Sequence, residues 1–521
     1  MLWRLFLLAA VTLLPTWLLG QEPVKPPAAS LRQRLEEVTR GPDYRHARWG
    51  ILVVDAQTGA VIYEENPDQL FVPASTTKLF SVAAALEELG PDFTFHTVVR
   101  RQGELSSEGE LAGHLIFVAS GDPSLGGRTG KYGQMLFHDV DHTYANGNPE
   151  AKLTDADPLA GLHDLARQVA KAGIKTIRGD VILDDRLFDA AQGTGSGPQR
   201  LSPIMVNDNL LDFVVTPTQL GQPARVDWRP RTSALSLDID VTTVASGRPL
   251  LVRAETPAPG RIVVRGEIPL DHAPVVRVLE VPDPASFARS LFIESLRQAG
   301  VRVLASPLAL NRAELLPPPA EVSKLPTVAE LQSLPFKEHA KLILKVSHNL
   351  HASMLPLLLA TRAGGRSLEA GLRRQGNILT KMGLDIRTFS IGSGAGGSIG
   401  DQISPRAQVQ LLQIMRGHRH AAAYREALPI LGVDGTLAQA VDASSPARGR
   451  AQAKTGTYLW QNGLTGRYVV TSKALAGYLQ TRSGRELIFA MMVNNTFIDK
   501  PNETKREGRV LGRLCEILHD D

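Results

Sequence analysis

Val72-Pro73-Ala74-Ser75-Thr76-Thr77-Lys78-Leu79-Phe80 is the stretch on which the fold turns. It opens a helix whose apolar positions Leu79, Val82, Ala83, Leu86 and Leu89 follow a 3.6-residue period, and Gly90-Pro91 stops it. A three-residue step near a helix start places the Ser75 hydroxyl and the Lys78 amine on one face, within reach of each other. A serine hydroxyl is a poor nucleophile until a base takes its proton. A lysine becomes such a base when burial and neighbouring cations lower its pKa. Alone, Ser-x-x-Lys is an ordinary helix start.

Upstream, Gly50-Ile51-Leu52-Val53-Val54-Asp55 reads as a buried strand, Gln57-Thr58-Gly59 as a turn, and Ala60-Val61-Ile62-Tyr63 as a second strand. From about 99 to 333 the character changes to short alternating runs such as Arg261-Ile262-Val263-Val264-Arg265 and Leu251-Val252-Arg253-Ala254, with one clear helix at about Leu159 to Ala172. Helical patterning returns from Lys341 to Ala360 and at Arg406 to Arg416. Strands follow near Ala451–Thr457, Ala476–Thr481 and Leu487–Val493, and a last helix covers Lys505 to His519. The outer segments therefore predict one α/β unit built from both chain ends, with a mainly β insertion between them.

Two further elements complete a constellation. Ser347-His348-Asn349 follows the apolar run Leu342-Ile343-Leu344. A hydroxyl there can relay a proton, and an asparagine amide can hold an amine through its oxygen and a substrate carbonyl through its N–H groups. Lys454-Thr455-Gly456-Thr457 lies on a predicted edge strand. It offers a fixed cation, a hydroxyl, a glycine where backbone can approach a ligand, and a strand edge for β-addition of a peptide. Backbone N–H groups near Ser75 and Thr457 would form an oxyanion hole. Each motif is weak singly; all three in order, each on the element its chemistry requires, point to acyl transfer.

The ordered trio resembles the D-alanyl-D-alanine carboxypeptidase/endopeptidase family, the class C low-molecular-mass penicillin-binding proteins. Further segments carry the resemblance: Ser120-Gly121-Asp122-Pro123-Ser124-Leu125, Gly179-Asp180-Val181-Ile182-Leu183-Asp184-Asp185, Val206-Asn207-Asp208-Asn209 and Gly432-Val433-Asp434-Gly435-Thr436-Leu437. The resemblance implies a β-lactamase/transpeptidase-like domain in two parts, 21–98 and 334–521. Two smaller nested domains would follow, one from 99–119 with 225–333 and one from 120–224. It implies Ser75 as nucleophile, Lys78 as general base, Ser347 as proton relay and Asn349 as orienting group. Lys454, Thr455, Gly456 and Thr457 would bind substrate. The implied substrates are peptidoglycan stem peptides, with β-lactams as inhibitors and no cofactor or metal. Two departures stand out. Ile391-Gly392-Ser393-Gly394 occupies the place of the family's Asp-Gly-Ser-Gly, and Ile391 cannot make a carboxylate's hydrogen bonds. Extra sequence runs from Gly126 to Asp157 and from Thr457 to Ala476, where Tyr458, Trp460 and Asn462 are placed to shape substrate preference.

Composition narrows the remaining classes. A hydrophobic share of 43% with 21% charged residues suits a soluble globular chain, and 57 basic against 53 acidic residues give little support to nucleic-acid binding. Arg4 followed by the apolar run Leu5 to Gly20 reads as a secretory signal peptide, residues 1–20, which predicts export to the periplasm or cell envelope. The cleavage site is imperfect, so a retained anchor and peripheral membrane association stay open. The single cysteine, Cys515, lies on the apolar stripe of the last helix and reads as a buried core residue. His138, Asp139, Asp141 and His142 have metal-ligand chemistry, yet read as a polar loop of the inserted sequence, and His418 and His420 read as solvated. A non-catalytic wall-binding scaffold on this fold would have lost a residue of the trio, and none is lost. A β-lactamase or small-ester hydrolase is the other use of the same groups.

Overall fold

The computed structural model describes residues 29–521. The expected signal peptide lies outside the described residues. The central sheet takes strands from both ends of the chain. Its spatial order is Ala451–Gln461, Tyr468–Gln480, Glu486–Asn494, Arg48–Asp55 and Val61–Glu65, with Thr496–Ile498 added beside Tyr468–Gln480. Every pairing along that order is antiparallel.

Alternation along the strands builds two cores, one on each face. Leu52, Val54, Ala476, Tyr478, Ile488 and Ala490 pack with the helices Lys78–Leu89, Asn349–Arg362 and Pro405–Arg416. Ile51, Val53, Leu475, Leu479, Phe489 and Met491 pack with Leu35 of the first helix and with Leu514, Cys515 and Leu518 of the last. The cysteine is therefore core, and burial pushes its thiol up to about 12. The Lys-Thr-Gly strand, Ala451–Gln461, lies at the sheet edge, as its sequence predicts.

Between Leu89 and Phe336 the chain builds four further sheets. The largest pairs His96–Leu105 with Glu110–Val118 and Thr327–Gln332, and carries the short strands near 176, 181 and 302. The helices Ala160–Lys171 and Pro284–Gln298 cover it. The second of these was not anticipated, although Asp283-Pro284 is a helix-start signature: Asp283 caps Ser286 N–H and proline occupies the first turn. Two three-stranded sheets and a two-stranded one, Ala191–Gln192 with Arg200–Leu201, complete the inserted region.

One departure from the sequence reading positions the site. The helical pattern from Lys341 to Ala360 is not one helix. It breaks into Phe336–Lys345 and Asn349–Arg362, with Ser347 at the break in the left-handed region, φ 65°. No glycine or proline marks the break, so periodicity alone runs through it. The second departure is at 457–476. The extra sequence is regular: the two strands simply continue past the motif into a long hairpin closed at Asn462–Arg467.

Candidate active site

Ser75 lies in a single 3-10 turn, Ala74–Thr77, which leads directly into the helix Lys78–Leu89. Ala74 is held at φ 46°, a strained conformation for a residue with a side chain. Lys78 is fully buried, and its Nζ has three close neighbours: Ser75 Oγ at 2.8 Å, Asn349 Oδ1 at 2.7 Å and the Ala395 carbonyl at 2.7 Å. Burial, and then the nearby Lys454 ammonium, hold the Lys78 pKa well below the ordinary lysine value. A neutral amine has two hydrogens and one lone pair. Two of its neighbours are carbonyl oxygens and only accept, so the lone pair is left facing the Ser75 hydroxyl. That is the geometry of a base on a nucleophile.

A cavity of about 590 Å³ opens over these groups, lined by Ser75, Ser347, Asn349, Thr455, Thr457 and Tyr458 among others. Lys454 is fully buried, with Nζ donating to the Thr455 carbonyl at 2.8 Å, and burial lowers its pKa to about 7. The Thr455 hydroxyl donates to Thr436 Oγ1 at 2.7 Å. Thr457 Oγ1 accepts from Lys473 Nζ at 3.0 Å, a third buried lysine here, whose pKa burial lowers to about 8. Among the described residues, members of all three motifs line one cavity with Ser75.

The decisive comparison is with the D-Ala-D-Ala carboxypeptidase 3 (S13) family, which this chain matches over residues 31–513. The chain belongs to that family. It is a serine hydrolase of the S13 type, similar to a D-alanyl-D-alanine carboxypeptidase of Actinomadura sp. at 29% identity, over 94% of this chain and 86% of the relative. It is also similar to the D-alanyl-D-alanine carboxypeptidase DacB of Haemophilus influenzae, at 24% identity over 88% of each chain. The crystal structure of penicillin binding protein 4 from H. influenzae shares the fold, with a TM-score of 0.67 at 19% identity, covering 92% of this chain and 98% of that one.

Within this S13 chain several sequence expectations need correction. The close approach that Gly456 permits in the structure is between backbones. A Cβ there would meet the Pro73 carbonyl oxygen at 2.6 Å and Ala74 Cβ at 3.3 Å, so the glycine lets the strand seat against the turn carrying Ser75. Of the hairpin residues, Tyr458 and Leu459 line the cavity, Trp460 is 63% exposed, and Asn462 shapes the hairpin turn by accepting from Leu464 N–H and Gly466 N–H. Asp141 and His142, read as part of a polar loop, are both buried. His418 is half-buried and bonded to Glu87 at 2.9 Å.

Ile391 packs against the main core. The carboxylate that organises this loop is Asp401, accepting from Gly392 N–H (2.7 Å), Ser393 Oγ (2.9 Å) and Ser398 N–H (2.9 Å). The loop in turn presents the Ala395 carbonyl to Lys78 and the Gly394 carbonyl to Ser81 Oγ. No spacing rule singles out Asp401. Two other contributors were equally invisible: the Ser196 carbonyl, which accepts from Asn349 Nδ2 at 3.1 Å, and Tyr144, whose hydroxyl donates to the Ser347 carbonyl at 2.6 Å.

Asp208, His348 and His351 bring possible metal-ligand atoms within 4.8 Å of one another. His348 Nδ1 accepts the His351 N–H as the cap of the second helix, so the neutral ring carries its proton on Nε2 and offers no lone pair there. The donor set does not suit an ion.

Proposed function

We propose that this protein hydrolyses D-Ala-D-Ala linkages in peptidoglycan stem peptides, as carboxypeptidase, cross-link endopeptidase or both, through an acyl-enzyme on Ser75. The observation that carries this reading is the set of three contacts at Lys78 Nζ, which leaves its lone pair for the serine proton. Ser75 Oγ attacks the carbonyl of the penultimate D-alanine as its proton passes to Lys78. Ser347 hands a proton to the leaving amine. Asn349 fixes Lys78 through Oδ1, and its Nδ2 keeps one N–H for the substrate beside the one given to Ser196. Lys454 and Thr455 hold the terminal carboxylate, and Thr457 contributes a backbone N–H to the oxyanion hole. Water then releases the acyl group. The partition of the inserted region into two nested domains, export to the periplasm or cell envelope, and inhibition by β-lactams belong to the same reading. Among the described residues no helix is long and apolar enough to cross a membrane.

The test uses two substrates, a soluble stem pentapeptide and a purified cross-linked dimer, with wild type beside Ser75→Ala. Release of D-alanine, cleavage of the dimer, or both, abolished in the variant, is the expected result. Penicillin binding without cleavage of either would leave a binding role, and rapid β-lactam turnover would make it a lactamase.

A further inference from the structure

The turn Ser347–Asn349 is held by residues of the inserted region outside the three motifs: Tyr144, which also lines the cavity over Ser75, and a buried charge cluster on the turn's other side. Ser347 sits at φ 65°, which a residue with a side chain keeps only when its surroundings over-determine it. Tyr144 Oη donates to its carbonyl at 2.6 Å, and burial pushes the phenol pKa up, so the hydroxyl stays a donor. His348, the N-cap of the following helix, and His351 in its first turn have ring centroids 4.0 Å apart and planes tilted by 48°. His351 Nε2 lies 2.7 Å from Asp208 Oδ1, and His348 Nε2 lies 3.5 Å from the same oxygen and 3.6 Å from Asp141 Oδ1.

Those two carboxylates are joined by Arg128, which reaches Asp141 at 2.7 Å and Asp208 at 2.6 Å with all three groups buried. His142 closes the cluster between Asp208 (3.0 Å) and Asp212 (2.6 Å), and Arg229 adds a contact to Asp212 at 3.0 Å. Burial alone would lower the His142 pKa, but its carboxylate neighbours outweigh it and raise the value to about 10. Three carboxylates therefore face three cations. Asp208 is presented by Asn207, Asp208 and Asn209, all at φ between 53° and 55°. Three successive left-handed residues are costly, and here the strain serves to aim one carboxylate. The same short turn, Asp141 to Tyr144, supplies both the carboxylate under His348 and the phenol on Ser347.

We infer that Tyr144 and Asp208 are positioning residues for the reaction: the inserted region's buried charge cluster fixes the Ser347–Asn349 turn in its productive conformation, so that Asn349 stays on Lys78 and Ser347 stays over the cavity. This rests on the proposed roles of Ser75, Lys78, Ser347 and Asn349. It assigns to the insertion a part in acylation itself, separate from any part in choosing substrates.

The experiment follows acylation by a fluorescent penicillin across a range of concentrations, for wild type, Tyr144→Phe, Asp208→Asn and the double variant, with thermal unfolding of each. Tyr144→Phe removes one hydrogen bond and preserves shape. It is expected to lower the saturating acylation rate about tenfold while the half-saturating concentration changes less than about twofold. Because both residues act on one turn, the double variant should lose clearly less than the product of the single losses. An unchanged saturating rate in Tyr144→Phe, a loss confined to the half-saturating concentration, or strictly multiplicative losses would each overturn the inference. Should Asp208→Asn fail to fold, the first two readings on Tyr144→Phe decide it. Failure of wild type to be labelled at all is a different result, and it would overturn the serine mechanism instead.

Discussion

Lys454 is buried near Lys78, and after burial its ammonium is the next cause that lowers the Lys78 pKa, so the group proposed to hold a substrate carboxylate would also ready the proposed base. Burial is the larger cause for Lys78 and the cause for Lys454, whose pKa falls to about 7. The proposed mechanism requires Lys78 without its proton and Lys454 with one. That window opens where Lys78 deprotonates and closes as pH rises past about 7.

In pH profiles of kcat/KM, which report the free enzyme, the basic limb is therefore expected near pH 7 for substrates ending in a carboxylate. Lys454→Gln removes that limb. It also removes the cation that lowers Lys78, so the acidic limb moves to higher pH. An acidic limb that stays in place would show that the two lysines are not coupled.

Replacing the base tests its role more bluntly. Lys78→Met keeps the buried stem, and Lys78→Arg keeps a permanent cation that cannot accept a proton. Both are expected to slow acylation about 10²–10⁴-fold, the usual range for losing a general base. Stopped-flow labelling with a fluorescent penicillin measures it. A fast Lys78→Arg enzyme would assign the base elsewhere.

Gly456→Ala tests the seating of the Lys-Thr-Gly strand. The new methyl would lie 2.6 Å from the Pro73 carbonyl, so strand or turn must shift. Overpacking of this kind costs about 1–3 kcal/mol, read from denaturant unfolding. Acylation should fall as well, because the displaced turn carries Ser75.

Arg128→Leu leaves Asp141 and Asp208 buried without their shared cation. Breaking a buried ion pair by removing one partner typically costs about 3–5 kcal/mol. Calorimetry or denaturant unfolding should show a loss of that size. Arg167→Leu, which breaks an exposed pair with Asp164, should change stability by less than about 1 kcal/mol.

How much of this was legible in the sequence follows from what local pattern can encode. The central strands were legible because buried runs such as Ile51 to Val54 and Leu487 to Val493 admit few other readings. Ser75, Lys78, Ser347, Asn349 and Lys454 were legible because each motif lies within four residues. Tyr144, Ser196 and Asp401 were not, since each reaches the site by long-range contact and Ser196 acts through a backbone carbonyl that no residue type announces. The break at Ser347 was hidden for a related reason. Its positive φ is imposed by Tyr144 and the cluster below it, with no glycine to reveal it. Asp141 and His142 read as a polar loop because their partners, Arg128, Asp208 and Asp212, are scattered along the chain.

Peptide mapping after brief exposure to benzylpenicillin tests the central claim most directly. The account predicts a single covalent adduct per chain, on the peptide carrying Ser75, and none in Ser75→Ala. An adduct on any other residue, or one that persists in Ser75→Ala, would contradict it.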